Sequence, residues 1–320
     1  MQIFIVNSDT INAFVAGGQR MFINTGLMMA AEDVTELIGV IAHETGHIAG
    51  GHLARGVQEL ERARRTALLT TLLGVAAGIA SGSTDVGVAL ATGGTGVAGR
   101  QFLSFSRTME SSADQAALRY LDSAGYSSEG LANFLERLAE DELVPEEFQS
   151  EYVRTHPLTR DRVNTVRAHV DRSPLTSAAV SPGVAESFIR MRAKLAGFLQ
   201  PKQALQTYAN DPSTAGRYAH AIALYRTGDL EGGLSGINEL IAQEPNNAFF
   251  FELKGQMLME NGRLSEALPA YEAAMDLAPN EPLIEMAFAQ AALQGNDPQL
   301  IDRAINALES ATRTPDGGTP

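Results

Sequence analysis

Two histidines and a glutamate lie close together in the segment GVIAHETGHIAGGHLAR, residues 39–55. His43 and His47 are four residues apart, so a helix places both imidazoles on one face, one turn apart. Two imidazoles at that spacing can bind one zinc ion. Glu44 follows the first histidine and can act as general base on a metal-bound water without being a ligand. The segment therefore predicts a helix that carries part of a zinc hydrolase site.

The neighbouring residues favour this metal site over the alternative, a surface helix whose polar residues face water. Gly46 keeps the helix thin beside the site, and Ile41 and Ile48 provide an apolar wall. His52 is the third histidine of the segment, and on a continuous helix it lies nearly opposite His43. We therefore expect His52 to be a surface residue or to contact a ligand, and not to bind the metal.

A further ligand must come from another part of the chain, and the segment SFSRTMESSAD, residues 104–114, provides one. Glu110 can coordinate zinc. Asp114, one helical turn later, can accept a hydrogen bond from a ligating histidine and fix its tautomer. The alternative is a pair of exposed helical carboxylates. Two imidazoles and one carboxylate would leave a fourth position open for water.

The composition limits the class of protein. The chain has 320 residues, enough for two domains of ordinary size. A formal charge of −14 and a pI near 4.9 argue against a nucleic-acid-binding surface, which needs clustered Lys and Arg. The absence of cysteine excludes disulfides, thiolate catalysis and cysteine-based zinc sites. Proteins, peptides and cations remain as partners.

Two segments bear on membranes and secretion. The longest apolar run, ALLTTLLGVAAGIA at residues 67–80, is shorter than the roughly 18 residues that span a bilayer, so we expect a buried or interfacial helix there. The opening MQIFIVNSDT lacks the order of a secretion signal. Either the protein stays inside the cell, or its precursor begins earlier than this chain.

The patterns along the chain predict an α+β protein that is mostly helical. The runs IFIVNS and RMFINTG, with AGG as a turn signal between them, predict a small antiparallel sheet or hairpin up to Leu27. A long helix should follow, capped by Asp33 or Thr35. Residues 81–99 are rich in Gly, Ser and Thr and predict a mobile loop or a weak helix. Helical periodicity then returns and ends at Gly125.

The C-terminal half of the chain contains an internal repeat. Residues 173–183, SPLTSAAVSPG, read as a linker between a domain at 1–172 and a domain at 184–314. Five positions recur after 34 residues: Leu224, Gly228, Leu230, Pro245 and Asn246, then Leu258, Gly262, Leu264, Pro279 and Asn280. This period is typical of tetratricopeptide helix pairs and predicts an α-solenoid with degenerate capping repeats. The alternative is a generic helical bundle.

These motifs together resemble a known family. HETGH followed by ESSAD, with a Gly/Ala-rich insertion between them, is similar to the gluzincin metalloproteases that include the CAAX prenyl protease, Oma and HtpX. The added C-terminal repeats resemble the soluble periplasmic branch that BepA typifies. NAFVAGGQRMFINTGLM resembles the family's first strands, and THPLTRDRV resembles its His-Pro loop. The resemblance covers nearly the whole chain.

The resemblance implies a role for each motif residue. It implies zinc bound by His43, His47 and Glu110, with Glu44 as catalytic base. His156 and Arg162 match the His-Pro loop, where His156 is expected to gate the open zinc position or to reach the oxyanion. Arg162 is expected to bind the oxyanion or to support the site. Since a residue before proline favours extended backbone, His156 should lie on a loop. The alternative for both is a solvated basic loop.

The substrate is expected to bind as an added strand. An extended peptide can pair with an edge strand, and we place that edge at Met21, Phe22, Ile23 and Asn24. By resemblance, the protein is a periplasmic zinc endopeptidase of misfolded or stalled proteins, with peripheral membrane contact. Its repeats would bind a protein partner, with the outer-membrane assembly machinery as the expected one.

A rival hypothesis treats the chain as a latent protease that acts mainly as a tetratricopeptide adaptor or chaperone. The sequence favours the enzyme, because an adaptor has no need to keep Glu44 between two ligands. Latency stays open at this point, because His156 could occupy the position of the water.

Overall fold

The chain folds as two compact units, Met1–Phe188 and Ile189–Pro320. This is seen in a computed structural model, which describes residues 1–81, 84–141, 149–295 and 298–313. The first unit combines a small sheet with helices, and the described part of the second unit is helical. The predicted class, α+β and mostly helical, is therefore confirmed. Among the described residues, no helix has both the length and the apolar composition needed to cross a membrane.

The sheet of the first unit has three strands in the order β1 (Gln2–Val6), β3 (Arg20–Asn24), β2 (Ala13–Ala16). β2 and β3 form an antiparallel hairpin whose turn contains Gly17 and Gly18, both with positive φ. β1 pairs with β3 in parallel. The predicted hairpin turn at AGG is confirmed, and the sheet is mixed, not wholly antiparallel as expected.

The position of β3 corrects the expected substrate strand. Met21, Phe22, Ile23 and Asn24 form the central strand, which pairs with β1 on one side and β2 on the other. Phe22 is also sandwiched between the rings of Phe4 and Phe14, with centroids 5.2 and 5.1 Å away. Since both of its edges are already paired, β3 cannot accept a substrate strand. The prediction of an edge strand at these four residues was wrong.

Seven helices of the described chain lie wholly within the first unit. Their bounds are α1 (Thr25–Ala30), α2 (Val34–Gly50), α3 (His52–Ser81), α4 (Thr84–Ala124), α5 (Glu129–Asp141), α6 (Glu151–Thr155) and α7 (Arg160–Val170). The site residues lie on or next to five of them, α2, α3, α4, α6 and α7. α2 begins after Asp33, whose carboxylate accepts hydrogen bonds from the amides of Thr35 and Glu36. α2 ends at Gly51, which has φ 60° and closes the last turn in the left-handed conformation.

A close approach between α2 and α4 sets the geometry of the site. A Cβ at Gly46 would lie 2.7 Å from the carbonyl oxygen of Ala113, so only glycine fits between the two backbones. Two turns earlier, on nearly the same face of α2, a Cβ at Gly39 would lie 2.8 Å from the Cβ of Leu131 on α5. α2 therefore packs closely against α5 near its start and against α4 beside its histidines.

Residues 81–99 are predicted to form a mobile loop or a weak helix, and residues 82–83 of this range lie outside the described residues. Residues 84–99 are helical and form the first part of α4, which packs along α3. Of the two predicted states, loop or weak helix, the helix is found. Gly74 on α3 and Ala98 on α4 are buried, and small residues of this kind let the two helices lie side by side. Only residues 82–83 separate the helices in sequence, so α3 and α4 run antiparallel.

Eight helices form the rest of the described chain, namely α8 (Pro182–Leu199), α9 (Pro201–Thr207), α10 (Thr214–Arg226), α11 (Leu230–Gln243), α12 (Ala248–Glu260), α13 (Leu264–Leu277), α14 (Pro282–Gln294) and α15 (Pro298–Arg313). α10, α12 and α14 begin 34 residues apart, and so do α11, α13 and α15. The helix spacing therefore equals the sequence period. Ile237, Phe250, Tyr271 and Phe288 are buried between these helices.

The boundary region differs in detail from the expected linker. Residues 173–181 contain turns and no helix, and α8 begins at Pro182, inside the expected range 173–183. The Ser127 hydroxyl donates a 2.9 Å hydrogen bond to the carbonyl of Thr176, which holds this segment against the start of α5. The division between the two units falls within α8, after Phe188.

The close approach at Gly46 can be tested by substitution. Gly46→Ala forces a methyl group against the backbone of α4, and we expect a loss of about 1–3 kcal/mol in the free energy of unfolding, as for other overpacked sites. Gly99→Ala is the matched control, because a Cβ at that position would meet nothing within 4 Å. That change should be neutral or stabilising by up to about 1 kcal/mol, since alanine favours helix. Urea unfolding of both variants measures the difference, and equal stability would contradict the packing argument.

Candidate metal centre

Four potential ligands converge between α2, α4 and the segment after α6. One ligand atom from each of His43, His47, Glu110 and His156 lies within 4.8 Å of all the others. The two α2 histidines point the same way, with their Nε2 atoms 3.0 Å apart. The carboxylate oxygens of Glu110 lie 3.4 Å from each of these Nε2 atoms. The structure therefore brings together the three predicted ligands and adds His156 to them.

The spacing of these atoms fits a zinc ion. Ligand atoms bonded to tetrahedral zinc at about 2.0–2.2 Å lie roughly 3.3–3.6 Å from one another. The two Nε2 atoms lie 3.0 Å apart, and each lies 3.4 Å from one carboxylate oxygen of Glu110, His43 from Oε2 and His47 from Oε1. Two imidazoles and a carboxylate, with no thiolate, also form a donor set that zinc accepts in hydrolytic enzymes. The residues present can thus hold one divalent metal ion.

Asp114 and Arg162 hold the predicted ligands His43 and Glu110 in place through hydrogen bonds and ion pairs. Asp114 lies one turn beyond Glu110 on α4, and its Oδ1 is 2.9 Å from the Nδ1 of His43. Arg162 donates two hydrogen bonds to Asp114, from Nε at 2.6 Å and from Nη2 at 2.9 Å. Its Nη1 lies 3.0 Å from Glu110 and also donates to the carbonyl of Pro157. Each nitrogen of the Arg162 guanidinium therefore has a partner within the site, which argues for support of the ligands.

The buried charges shift the pKa values of these residues. Burial by itself would raise the pKa of Asp114, but the hydrogen bonds from Arg162 outweigh burial and bring it to about 2. Burial would lower the pKa of His43, but its contacts with Asp114 and Glu110 outweigh that effect and raise the pKa to about 9. The pKa of Glu110 is held well below its usual value by His43 and His47, against the effect of burial. The centre therefore favours bound cations, whether protons or a metal ion.

His52 contacts His47, the second predicted ligand on α2. Its Nδ1 is 3.1 Å from the Nδ1 of His47, and the residue is buried. Burial and the neighbouring His47 lower the pKa of His52 to about 4, so its imidazole is neutral near pH 7. A neutral imidazole can accept a hydrogen bond from His47 Nδ1 and leave His47 Nε2 for the metal. Of the two predicted positions for His52, the surface is wrong and the contact with a ligand is found.

His156 lies at the open side of the centre. It is the C-cap of α6, outside the helix, as expected for a residue before proline. Its Nε2 lies 3.3 Å from Glu44, and its ring stacks on Tyr152 at 4.3 Å between centroids. Tyr152 is fully buried, and its amide donates to the carbonyl of Ile11 just before β2. The expected alternative of a solvated basic loop is excluded, because His156 and Arg162 are both buried.

Glu44 has the surroundings of a general base. It is buried beside the three predicted ligands, and its Oε1 lies 3.3 Å from the Nε2 of His156. Burial raises its pKa, but His156 and the two α2 histidines outweigh this, so the pKa lies below the usual value for a glutamate. The carboxyl group is therefore ionised near neutral pH and can accept a proton from a water at the metal.

Sequence reasoning missed two features of the site. The first is Tyr152, whose spacing from His156 within a short helix gives no motif to detect. The second is the edge strand: β2, not β3, lies at the margin of the sheet, and it packs against α2. The residues of β2 lie in the segment NAFVAGG, which stands out in the sequence only by its resemblance to the family's strands. Pairing between strands is a nonlocal property, so strand patterns alone do not give the order in a sheet.

The fold and the candidate centre together are those expected of an HExxH metallopeptidase domain. Peptidase family M48 matches residues 1–170, and the chain belongs to that family. The expected resemblance to gluzincin metalloproteases is thereby confirmed.

Individual relatives extend the similarity beyond this domain. The chain is 26% identical over 311 residues to the beta-barrel assembly-enhancing protease of Yersinia pestis, covering 92% of this chain and 61% of the relative. It is 25% identical over 313 residues to the protein of the same name from Escherichia coli K12, covering 95% and 62%. Metalloprotease LoiP of Escherichia coli K12 is 34% identical over 159 residues, covering 49% of this chain and 58% of LoiP. The chain thus spans about three fifths of the length of these relatives.

The contact between His52 and His47 predicts an effect on metal affinity. His52→Ala removes the group that orients His47, and we expect zinc affinity to fall by about 10–100-fold, as for other groups that support a ligand. His52→Asn should restore part of the affinity, because its amide can still accept a hydrogen bond. Competition with a chromogenic zinc chelator measures the change. His220→Ala, in the second unit, is the control, and equal zinc affinity in the His52→Ala and His220→Ala variants would refute the role of His52.

Proposed function

We propose that this protein is a zinc-dependent endopeptidase that cleaves misfolded or stalled proteins. The observation that supports this best is the convergence of His43, His47 and Glu110, with the ionised Glu44 beside them. Membership of peptidase family M48 agrees with it. A zinc ion held by these three ligands would polarise the peptide carbonyl and acidify a water molecule. Zinc is the metal that this donor set takes in related hydrolytic chemistry.

The residues around the metal supply the proton transfers. With zinc bound, Glu44 would accept a proton from the attacking water, because it is ionised and buried beside the three proposed ligands. It then passes that proton to the leaving amine, as a general base that becomes a general acid. Asp114 and Arg162 keep His43 and Glu110 in place during both steps. This assigns Arg162 a supporting role, and not the binding of the oxyanion.

β2 is the proposed substrate strand in place of β3. Among the described residues, β2 pairs on one edge only, and it packs against the helix that carries the ligands. The amide of Asn24 donates to the carbonyl of Asn12, so positions 12 and 14 face β3. The backbone groups of Ala13 and Val15 alternate with them and point to the open edge. An extended peptide can therefore pair with Ala13 and Val15.

The role of β2 can be tested at one amide. Val15→Pro removes the N–H of Val15 at the open edge, and we expect KM for an unstructured peptide to rise by roughly tenfold, the loss of about one hydrogen bond in a partly dry cleft. Val15→Thr keeps the amide and serves as the matched control. Steady-state kinetics and zinc binding should show unchanged metal affinity in both. An unchanged KM in Val15→Pro would place the substrate elsewhere.

The main assay is cleavage of casein by the zinc-loaded chain beside Glu44→Gln. We expect the variant to bind zinc as the parent does and to lose proteolysis by about 10²–10⁴-fold, because it lacks the general base. Stoichiometric zinc, measured by atomic absorption, controls for loss of the metal. Equal cleavage by both proteins would show that the activity comes from another source and would overturn the proposal.

A second candidate function is a latent protease that acts as an adaptor or chaperone. His156 favours it, because its ligand atom lies within the same 4.8 Å cluster and could take the open position. In that case the parent protein binds zinc and leaves casein intact. His156→Ala would then release cleavage in the same assay, and Glu44→Gln combined with His156→Ala would abolish it again. Inactivity of His156→Ala would favour the adaptor without latent activity.

The second unit is proposed to bind a protein partner. The 34-residue spacing of its helix pairs supports tetratricopeptide repeats, which commonly present concave surfaces to other proteins. The beta-barrel assembly-enhancing proteases suggest the outer-membrane assembly machinery as that partner, and the periplasm as the location. Pull-down by the full chain from solubilised envelope, identified by mass spectrometry, tests both. Recovery of cytoplasmic proteins alone would contradict this location.

A further inference from the structure

The distal part of the helical pair α3/α4 exposes many of its described large apolar side chains to solvent. We call residues 66–81 of α3 and 84–99 of α4 the apolar hairpin. Seven of its large side chains expose between 55% and 78% of their surface, namely Leu68, Leu69, Leu72, Leu73, Val75, Ile79 and Val88. Contiguous apolar surface of this kind usually marks a site of interaction with a protein or a membrane.

The positions of the small and large residues indicate whether the partner of the apolar hairpin is a protein or a membrane. Gly74 on α3 and Ala98 on α4 are buried in this closely packed helix pair, whereas Leu72 and Ile79 expose 58% and 78% of their surfaces. Helices of a water-soluble pair bury their large apolar side chains against each other and expose polar ones. Helices packed in lipid do the reverse, because small residues at their contact let the backbones approach while large apolar residues face the acyl chains. The apolar hairpin follows the lipid pattern.

The charges of the hairpin also fit a lipid surface. Residues 66–99 contain one charged side chain, Asp85. Four arginines mark the proximal end of this region, and we call them the basic rim: Arg62, Arg64, Arg65 and Arg100. Arg65 and Arg100 each lie sixteen residues from the distal end of their helix, so they stand at the same level. Glu59 and Glu61 pair with two of these arginines, so the rim keeps an excess of positive charge.

We propose that the apolar hairpin inserts into the surface layer of a membrane that contains anionic lipids, with the basic rim against the headgroups. Sixteen helical residues extend about 24 Å, less than the roughly 30 Å of a bilayer core, which suits entry from one side. Helices also satisfy their own backbone hydrogen bonds, as a segment in lipid must. The proposal is independent of the peptidase activity.

The charges of the chain predict how membrane association depends on lipid charge and on salt. The chain carries a formal charge of −14, so an anionic membrane repels it as a whole. Attraction must therefore come from the basic rim, where each arginine near an anionic surface contributes about fivefold in partitioning. Such attraction is screened by salt within about 10 Å at 0.1 M. Membrane association should thus need both anionic lipid and the apolar hairpin, and should weaken as salt rises.

Flotation of the full chain with lipid vesicles tests this. The parent protein should float to the top of a density gradient with vesicles of phosphatidylcholine that contain about 30 mol% phosphatidylglycerol. This is roughly the composition of an anionic leaflet. Vesicles of phosphatidylcholine alone should carry at least about tenfold less. Leu72→Asp with Ile79→Asp should abolish flotation, and Arg64→Gln with Arg100→Gln should reduce it by about 25-fold.

A matched control distinguishes insertion of the apolar hairpin from nonspecific adsorption through other exposed apolar side chains. Phe249 and Leu283 in the second unit expose 52% and 73% of their surfaces, comparable to the hairpin residues. Phe249→Asp with Leu283→Asp should float as the parent does. Casein cleavage or zinc binding by each variant shows that the first unit is folded.

Three results would overturn the proposal. One is failure of the parent chain to float with anionic vesicles. Another is flotation of the Leu72 and Ile79 double variant at the level of the parent. The third is a stable dimer of the parent, seen by analytical ultracentrifugation, that the same double variant dissociates, since the hairpin would then be covered by a second copy of the chain.

Discussion

The candidate metal centre depends on the distance between two helices. α2 supplies two of the predicted ligands and α4 supplies the third, and they meet because Gly46 has no side chain where Ala113 passes. If the helices stood farther apart by the thickness of a methyl group, Glu110 could not lie 3.4 Å from both imidazoles. The histidines and Glu110 are far apart in the sequence. The close contact between the backbones of α2 and α4 therefore positions them, as a short loop does in smaller metal sites.

The second constraint is the balance of buried charge. Glu44, Glu110 and Asp114 are all buried, and Arg162 is the buried guanidinium beside them. Buried charges are costly unless they are paired. Three carboxylates against Arg162 leave an excess of negative charge, which His43 partly offsets by holding a proton, as its raised pKa indicates. A divalent cation would replace that proton and neutralise the remaining negative charge. The buried carboxylates that are costly without a cation therefore favour the binding of a metal ion.

The sequence predicted the ligands of the candidate site. His43 and His47 follow from helical periodicity, Glu110 follows from ligand chemistry and the family resemblance, and their side chains converge as expected. The surface position expected for His52 assumes a continuous helix, but Gly51 adopts φ 60° and turns the chain, so His52 reaches back to His47. The central position of β3 and the helical state of residues 84–99 depend on pairing with distant or neighbouring elements, which composition does not encode.

The hydrogen bond from Arg162 to the carbonyl of Pro157 has a consequence for how the centre could open. It ties the backbone next to His156 to the same guanidinium that holds Asp114 and Glu110. Displacing this backbone would expose a buried ion network. Turning the imidazole about its own side-chain bonds would break its stack on Tyr152, its contact with Glu44 and its hydrogen bond with the Thr155 hydroxyl, and would leave that network intact. If His156 occupies the fourth position, its release is therefore a rotamer change, which belongs to a faster class of motion than loop displacement.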